Sequence, residues 1–212
     1  MFPSGGGSHA AGPGMGARPA HRQNWLTYVS EQRRLPRRRA IANMTRTRRP
    51  IIPGATYFIT STAYQREKWF TRTEFAQIVV EQWKHYEKVY EFQLHTYCVL
   101  PDHYHVVLNV GAQKTISQIL HAVNSYTATL INQSLGHEIK IKIWEGNAWD
   151  EVVRNENMCW QKIAYTLANP WRAGLVSKPL DPYPFSDLAE WLEREGEEFL
   201  LDLFARYKRW HE

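Results

Sequence analysis

From residue 51 onward the chain alternates between two hydrophobic periods. Tyr57 to Ala63, YFITSTA, is a run of β-formers that predicts a first strand, with Pro53-Gly54 turning the chain into it. Over 73–89, Phe75, Ile78, Val79, Trp83, Tyr86 and Val89 recur near helical spacing and predict a helix. Phe92 to Leu100 predicts a second strand, stopped by Pro101-Asp102, and His103 to Val110 a third, closed by Gly111. Thr115 to Leu135 carries a helical stripe of Ile116, Ile119, Leu120, Val123, Leu130 and Ile131, with Gly136 as its stop. Ile139–Ile143 and Trp149–Arg154 are short strand candidates on either side of Glu145-Gly146-Asn147. Asn155 is placed to cap a third helix over 156–168, which Asn169-Pro170 should end. Pro179, Pro182 and Pro184 then mark an extended segment, and 187–208 predicts a final helix with an acidic first half. The order β-α-β-β-α-β-α predicts an α+β domain, an antiparallel sheet of four to five strands with its helices on one face.

Composition limits the rest. The 212 residues suit one domain with extensions, and the 43% of apolar residues suffice for a core. Residues 1–23 are rich in Gly, Ala, Pro and Ser without a period, which predicts disorder. A short helix is expected over 24–35. Residues 1–50 hold ten of the 26 basic residues and one of the 21 acidic ones, Glu31, leaving 16 and 20 in the remainder. The basic character therefore belongs to the arm, where Arg33, Arg34, Arg37, Arg38 and Arg39 suit either phosphate neutralisation or a solvated tail. The expected division is a basic arm over 1–49, a domain over 50–180 and a helical extension over 181–212, with Met44 as an alternative start. No run of 18 apolar residues predicts a membrane span, and no apolar segment predicts a secretory signal. Cys98 and Cys159 form no paired motif, which fits a reducing cytoplasm.

The chemistry begins at VLPDHYHVVLN, residues 99–109. In a strand, residues two apart share a face, so His103 and His105 present two imidazoles together and Tyr104 points the other way. Such a pair suits a divalent metal, and equally suits two half-buried strand histidines in a chain with nine. Asp102 could orient one of them or cap the turn, and the turn is the commoner use. Downstream, Tyr165 and Asn169 are four apart and share a face if both are helical. Asn169 offers an amide oxygen to a hard cation, although a residue before proline disfavours the helix. Tyr165 offers a phenolic nucleophile, the alternative being an ordinary core tyrosine. Tyr126 is a rival, but Leu130 stands where its matching ligand would be. Trp144, Trp149 and Trp171 could stack on unpaired bases, and Arg154 and Arg172 could contact phosphates. Core packing and solvated surface are their alternatives.

Taken in order, VLPDHYHVVLNV, WEGNAWDEVVR and YTLANPWRAGLV resemble the HUH single-strand endonucleases of the one-tyrosine transposase superfamily, and most of all the REP-associated tyrosine transposases. The resemblance covers roughly residues 50–180. It implies a ferredoxin-like, HUH-type fold, with His103 and His105 as metal ligands, Asn169 as the third ligand and Tyr165 as nucleophile. It also implies Mg or Mn, single-stranded or hairpin DNA as partner, and cleavage that leaves a 5′-phosphotyrosine and a free 3′-OH. A monomer or a homodimer, cytoplasmic and nucleoid-associated, is expected. The long N-terminal arm departs from the pattern. Two other function classes stay open: a hairpin-binding regulator of the same fold without catalysis, and a metal hydrolase, for which Asp102 is the nearest base.

Overall fold

The computed structural model describes residues 52, 54–136 and 140–207. The expected N-terminal arm, its short helix and the alternative start at Met44 lie outside the described residues. Strand β1 (Thr56–Thr62) leads through two single 3₁₀ turns, Tyr64–Arg66 and Trp69–Thr71, into helix α1 (Thr73–Tyr90). Strands β2 (Gln93–Leu100) and β3 (His103–Asn109) form a hairpin, followed by helix α2 (Ile116–Leu135). Strand β4 (Trp149–Val153) precedes helix α3 (Glu156–Arg172), and two shorter helices end the described chain, α4 (Leu188–Glu195) and α5 (Glu197–Arg206). The four strands form one antiparallel sheet in the order β2-β3-β1-β4. None of the described helices is long and apolar enough to cross a membrane.

The predicted α+β class and antiparallel sheet stand, but the helices occupy both faces of the sheet. On one face Tyr57, Ile59, Tyr104, Val106 and Leu108 pack against α1 and α2 through Phe75, Val79, Trp83, Ile119 and Val123. On the other, Phe58 and Val107 meet Cys159, Ile163 and Leu167 of α3, Trp191 of α4, and Leu200 and Leu203 of α5. The reason lies in the strands. Tyr57-Phe58-Ile59 and Val106-Val107-Leu108 are apolar at consecutive positions, so both faces carry surface that must be covered. Helices α4 and α5, among the described residues beyond 180, are thus built into the second core, closing the face on which the two histidines lie.

Three boundaries differ from expectation. Helix α3 continues through Asn169 and Pro170 to Arg172. The proline removes one backbone donor in the final turns, while Ala168, Asn169 and Pro170 are all buried there, and the Ala173 N–H still reaches the Asn169 carbonyl at 2.8 Å. The final helix expected over 187–208 is two helices, broken at Gly196, whose φ of 85° an L side chain rarely adopts. Residues 140–143 form no strand. Instead the Asn132 amide brackets Ile141, accepting its N–H at 2.6 Å and donating to its carbonyl at 3.0 Å, while Trp144 makes a single bridge to Ala63.

Candidate active site

The hairpin register sets the site. His105 pairs with Thr60 of β1, and His103 with Thr62. The strand alternation turns both imidazoles toward α3 and turns Tyr104 into the opposite core. There the Tyr104 hydroxyl donates to Asn124 Oδ1 at 2.8 Å, and Asn124 donates to Ser61 Oγ at 3.0 Å. The capping of α3 follows the sequence: Asn155 Oδ1 accepts the Met158 N–H at 2.8 Å. From that start, Tyr165 falls where α3 crosses the histidines, its ring centroid 5.1 Å from that of His105 and 5.8 Å from that of Phe58. The Phe58 ring stacks on His105 at 5.4 Å and forms the floor of an open cleft of about 430 Å³.

Each histidine is oriented through its Nδ1. His103 Nδ1 lies 2.5 Å from Asp102 Oδ1, and His105 Nδ1 lies 2.9 Å from Thr60 Oγ1. Asp102 therefore orients a histidine, the use that the sequence made the less common one. Its other oxygen accepts from Arg66 at 3.2 Å, and Arg66 is held in reach by a turn in which Gln65 and Arg66 both take left-handed φ, 55° and 59°. Burial pushes the Asp102 carboxyl up, but the His103 contact and the Arg66 guanidinium outweigh it and hold it below the ordinary carboxylate range. His105 is pushed well below its ordinary value, first by burial, then by the positive charges of His103, Lys162 and Arg66. A neutral imidazole is the form a metal needs.

The two Nε2 atoms face each other 3.1 Å apart. Two nitrogens about 2.1 Å from one octahedral ion, at right angles to each other, would be separated by about 3 Å. Each Nδ1 is engaged as metal-bound histidines usually are. The pair therefore fits a divalent cation. Among the described residues no three His, Cys, Asp or Glu side chains converge on such a site, so a further protein ligand would have to be of another type. Asn169 lies within α3, one turn beyond Tyr165 and buried, and its Nδ2 has no hydrogen-bond partner. It is not part of the cleft wall, whereas Gln161 is.

The remaining sequence candidates separate. Trp149 lines the cleft, is 53% exposed, and meets Phe58 edge-on at 5.8 Å. Trp144 is a correction: it is buried in the opposite core between Phe70 and Tyr104, because the chain returns to the sheet at its bridge to Ala63. Trp171 is exposed, and Arg154 is exposed beyond the end of β4. The Arg172 guanidinium sits 5.2 Å over the Tyr165 ring. Tyr126, the rival nucleophile, is on α2, across the sheet from the histidines. Sequence reasoning missed Phe58, Thr60, Arg66, Gln161 and Lys162, all on the cleft wall. Lys162 carried a signal, since it stands three residues before Tyr165 on the same helical face. Phe58 and Thr60 carried the strand alternation, but their pairing with the histidines depends on a register between distant strands.

Residues 53–153 match the family described as "Transposase IS200 like". A REP-associated tyrosine transposase of Haemophilus influenzae is 23% identical over 151 residues, which cover 68% of this chain and 85% of that protein. The solved structure of a REP-associated tyrosine transposase bound to a REP hairpin shares the fold, with a TM-score of 0.60 at 22% identity, over 73% of this chain and 88% of that one. The matched segment carries the sheet and both histidines, and the helix with Tyr165 follows it directly. Over residues 53–153 the chain is thus similar to the IS200-like transposases, and over its wider matches it resembles the REP-associated tyrosine transposases.

Proposed function

We propose that this protein is a metal-dependent endonuclease and strand transferase for single-stranded DNA beside a hairpin, with Tyr165 as its nucleophile. The observation that carries this is the meeting of Tyr165 and His105, 5.1 Å apart between ring centroids, in one open cleft. A structural tyrosine would not need two imidazoles, each oriented by a partner, beside it. A divalent cation, Mg or Mn, held by His103 and His105 with Asn169 as the candidate third ligand, would supply positive charge to the scissile phosphate. Tyr165 Oη attacks phosphorus and displaces the 3′-oxygen, leaving the phosphate joined to the tyrosine. The linkage is exchanged rather than hydrolysed, so a second 3′-OH can reverse it without an external energy source. Arg172, over the Tyr165 ring, places positive charge beside the developing phenolate. Trp149, half-exposed at the cleft wall, offers a face on which an unpaired base can stack.

The test is covalent capture. A hairpin-bearing single-stranded oligonucleotide incubated with protein and Mg or Mn should give an SDS-resistant adduct. Tyr165→Phe should abolish the adduct while binding persists, and Tyr126→Phe should leave it intact. Loss of the adduct in Tyr126→Phe with retention in Tyr165→Phe would refute the assignment. Binding without an adduct, for any hairpin substrate, would support a non-catalytic regulator instead.

A further inference from the structure

We propose that Lys162 is the acid that protonates the departing 3′-oxygen, held for that task by Glu151 and the aromatic floor of the cleft. This deepens the strand-cleaving reading above and rests on it. Lys162 stands one turn before Tyr165 on α3, and both side chains line the cleft. Its Nζ is 2.8 Å from Glu151 Oε2, 4.6 Å from the Phe58 ring centroid and 5.7 Å from that of Trp149. A carboxylate on β4 and two rings thus fix an ammonium group that would otherwise wander in solvent. The same Phe58 ring touches Tyr165 and His105, so the ammonium shares a floor with the nucleophile and a candidate metal ligand.

The chemistry requires such a group. When the P–O3′ bond breaks, the electron pair stays on a 3′-alkoxide, a strong base and poor leaving group unless it gains a proton. Among the residues on the cleft wall, few can give one. Arg66 cannot release a proton and is bound to Asp102. His103 and His105 each spend Nδ1 on a partner and turn Nε2 toward the other. The amide of Gln161 is no acid, and Tyr165 is the attacking group. Lys162 is left. In the cleavage step the Tyr165 Oη–P bond forms and the tyrosine proton goes to water. The P–O3′ bond breaks, and Lys162 passes one proton to O3′, leaving a neutral amine. In strand transfer the neutral amine takes the proton of the incoming 3′-OH.

The experiment uses an oligonucleotide that the wild-type protein converts to adduct, made with either oxygen or sulfur at the 3′-bridging position of the scissile phosphate. A 3′-thiolate leaves without protonation. Lys162→Met, which keeps the stem over Phe58 and removes the charge, should slow adduct formation about 100-fold or more on the oxygen substrate and only a few-fold on the sulfur substrate, with DNA binding nearly unchanged. Lys162→Arg keeps the charge and the Glu151 partner but releases no proton, so it should fold as wild type and show the same selective defect. Equal loss on both substrates would overturn the proposal in favour of simple phosphate binding, and so would no loss on either. A wild-type protein that forms no adduct with either substrate would instead sink the strand-cleaving reading itself.

Discussion

Thr60→Val is the sharpest probe of the histidine pair. The substitution is nearly isosteric, keeps a β-branched residue in a central strand, and removes only the hydroxyl that lies 2.9 Å from His105 Nδ1. His105 is 4% exposed, so water cannot replace that partner. Without metal, the variant can adapt: the His105 proton moves to Nε2, where His103 Nε2 accepts it at 3.1 Å. Metal binding forbids this escape, because Nε2 must then offer its lone pair and Nδ1 must carry the proton. The bound state alone therefore bears an unsatisfied buried donor, which costs about 1–3 kcal/mol, or roughly 5- to 150-fold in affinity. That range overlaps the roughly 10- to 100-fold loss typical of removing an outer partner from a metal-bound histidine. Titration of free Mn by its electron paramagnetic resonance signal measures the change directly. Thr62→Val, on the same strand and face beside His103, is the control and should bind Mn as the wild type does. Equal Mn affinity for wild type and Thr60→Val would refute the idea that Thr60 fixes the ligand tautomer.

Other consequences are open to simpler measurement. Burial raises the Asp187 carboxyl to about 7, although it accepts from Thr96 Oγ1 at 2.7 Å, the Tyr97 N–H at 3.1 Å and Trp191 Nε1 at 3.1 Å. A raised folded value means that the folded state holds the proton more tightly, so this group's contribution is complete below about pH 4 and is lost as pH rises through about 7. Asp187→Asn mimics the protonated acid, and the wild-type stability measured in urea should fall relative to the variant by up to about 4 kcal/mol between those limits. A constant difference between the two proteins across that range would contradict this. Gly111→Ala should destabilise by about 1–3 kcal/mol in thermal unfolding, because its Cβ would stand 2.3 Å from the Glu91 carbonyl oxygen, a backbone atom that cannot swing aside.

Much of the fold was legible because its signals are local. The periods that predicted α1, α2 and the hairpin, the Asn155 cap and the Gly136 stop are all read within a few residues, and the structure keeps them. What went wrong required tertiary information. Pro170 looked like a helix stop, yet packing of α3 against the second core outweighs one missing donor. The placement of helices on both faces was foreshadowed by the unbroken apolar triplets in β1 and β3, a signal of two-sided burial that the element order alone obscured. In the site, the His-Tyr-His alternation was readable, whereas Thr60, Phe58 and Lys162 join it only through strand register and helix crossing. Trp144 and Trp149, five residues apart and chemically alike, end in a core and on a cleft wall, and no local pattern separates them.

The Tyr104–Asn124–Ser61 chain of hydrogen bonds has a consequence for purity as well as for shape. A hairpin slipped by one residue would thrust Tyr104 into the cleft and press two imidazoles into the opposite core, abandoning every one of those bonds. Such a register is strongly disfavoured against the native one. A population with well-formed but miswired sites is therefore excluded by the same packing that builds the correct one. The folded fraction of a preparation is then also the fraction that holds both imidazoles on the α3 face of the sheet.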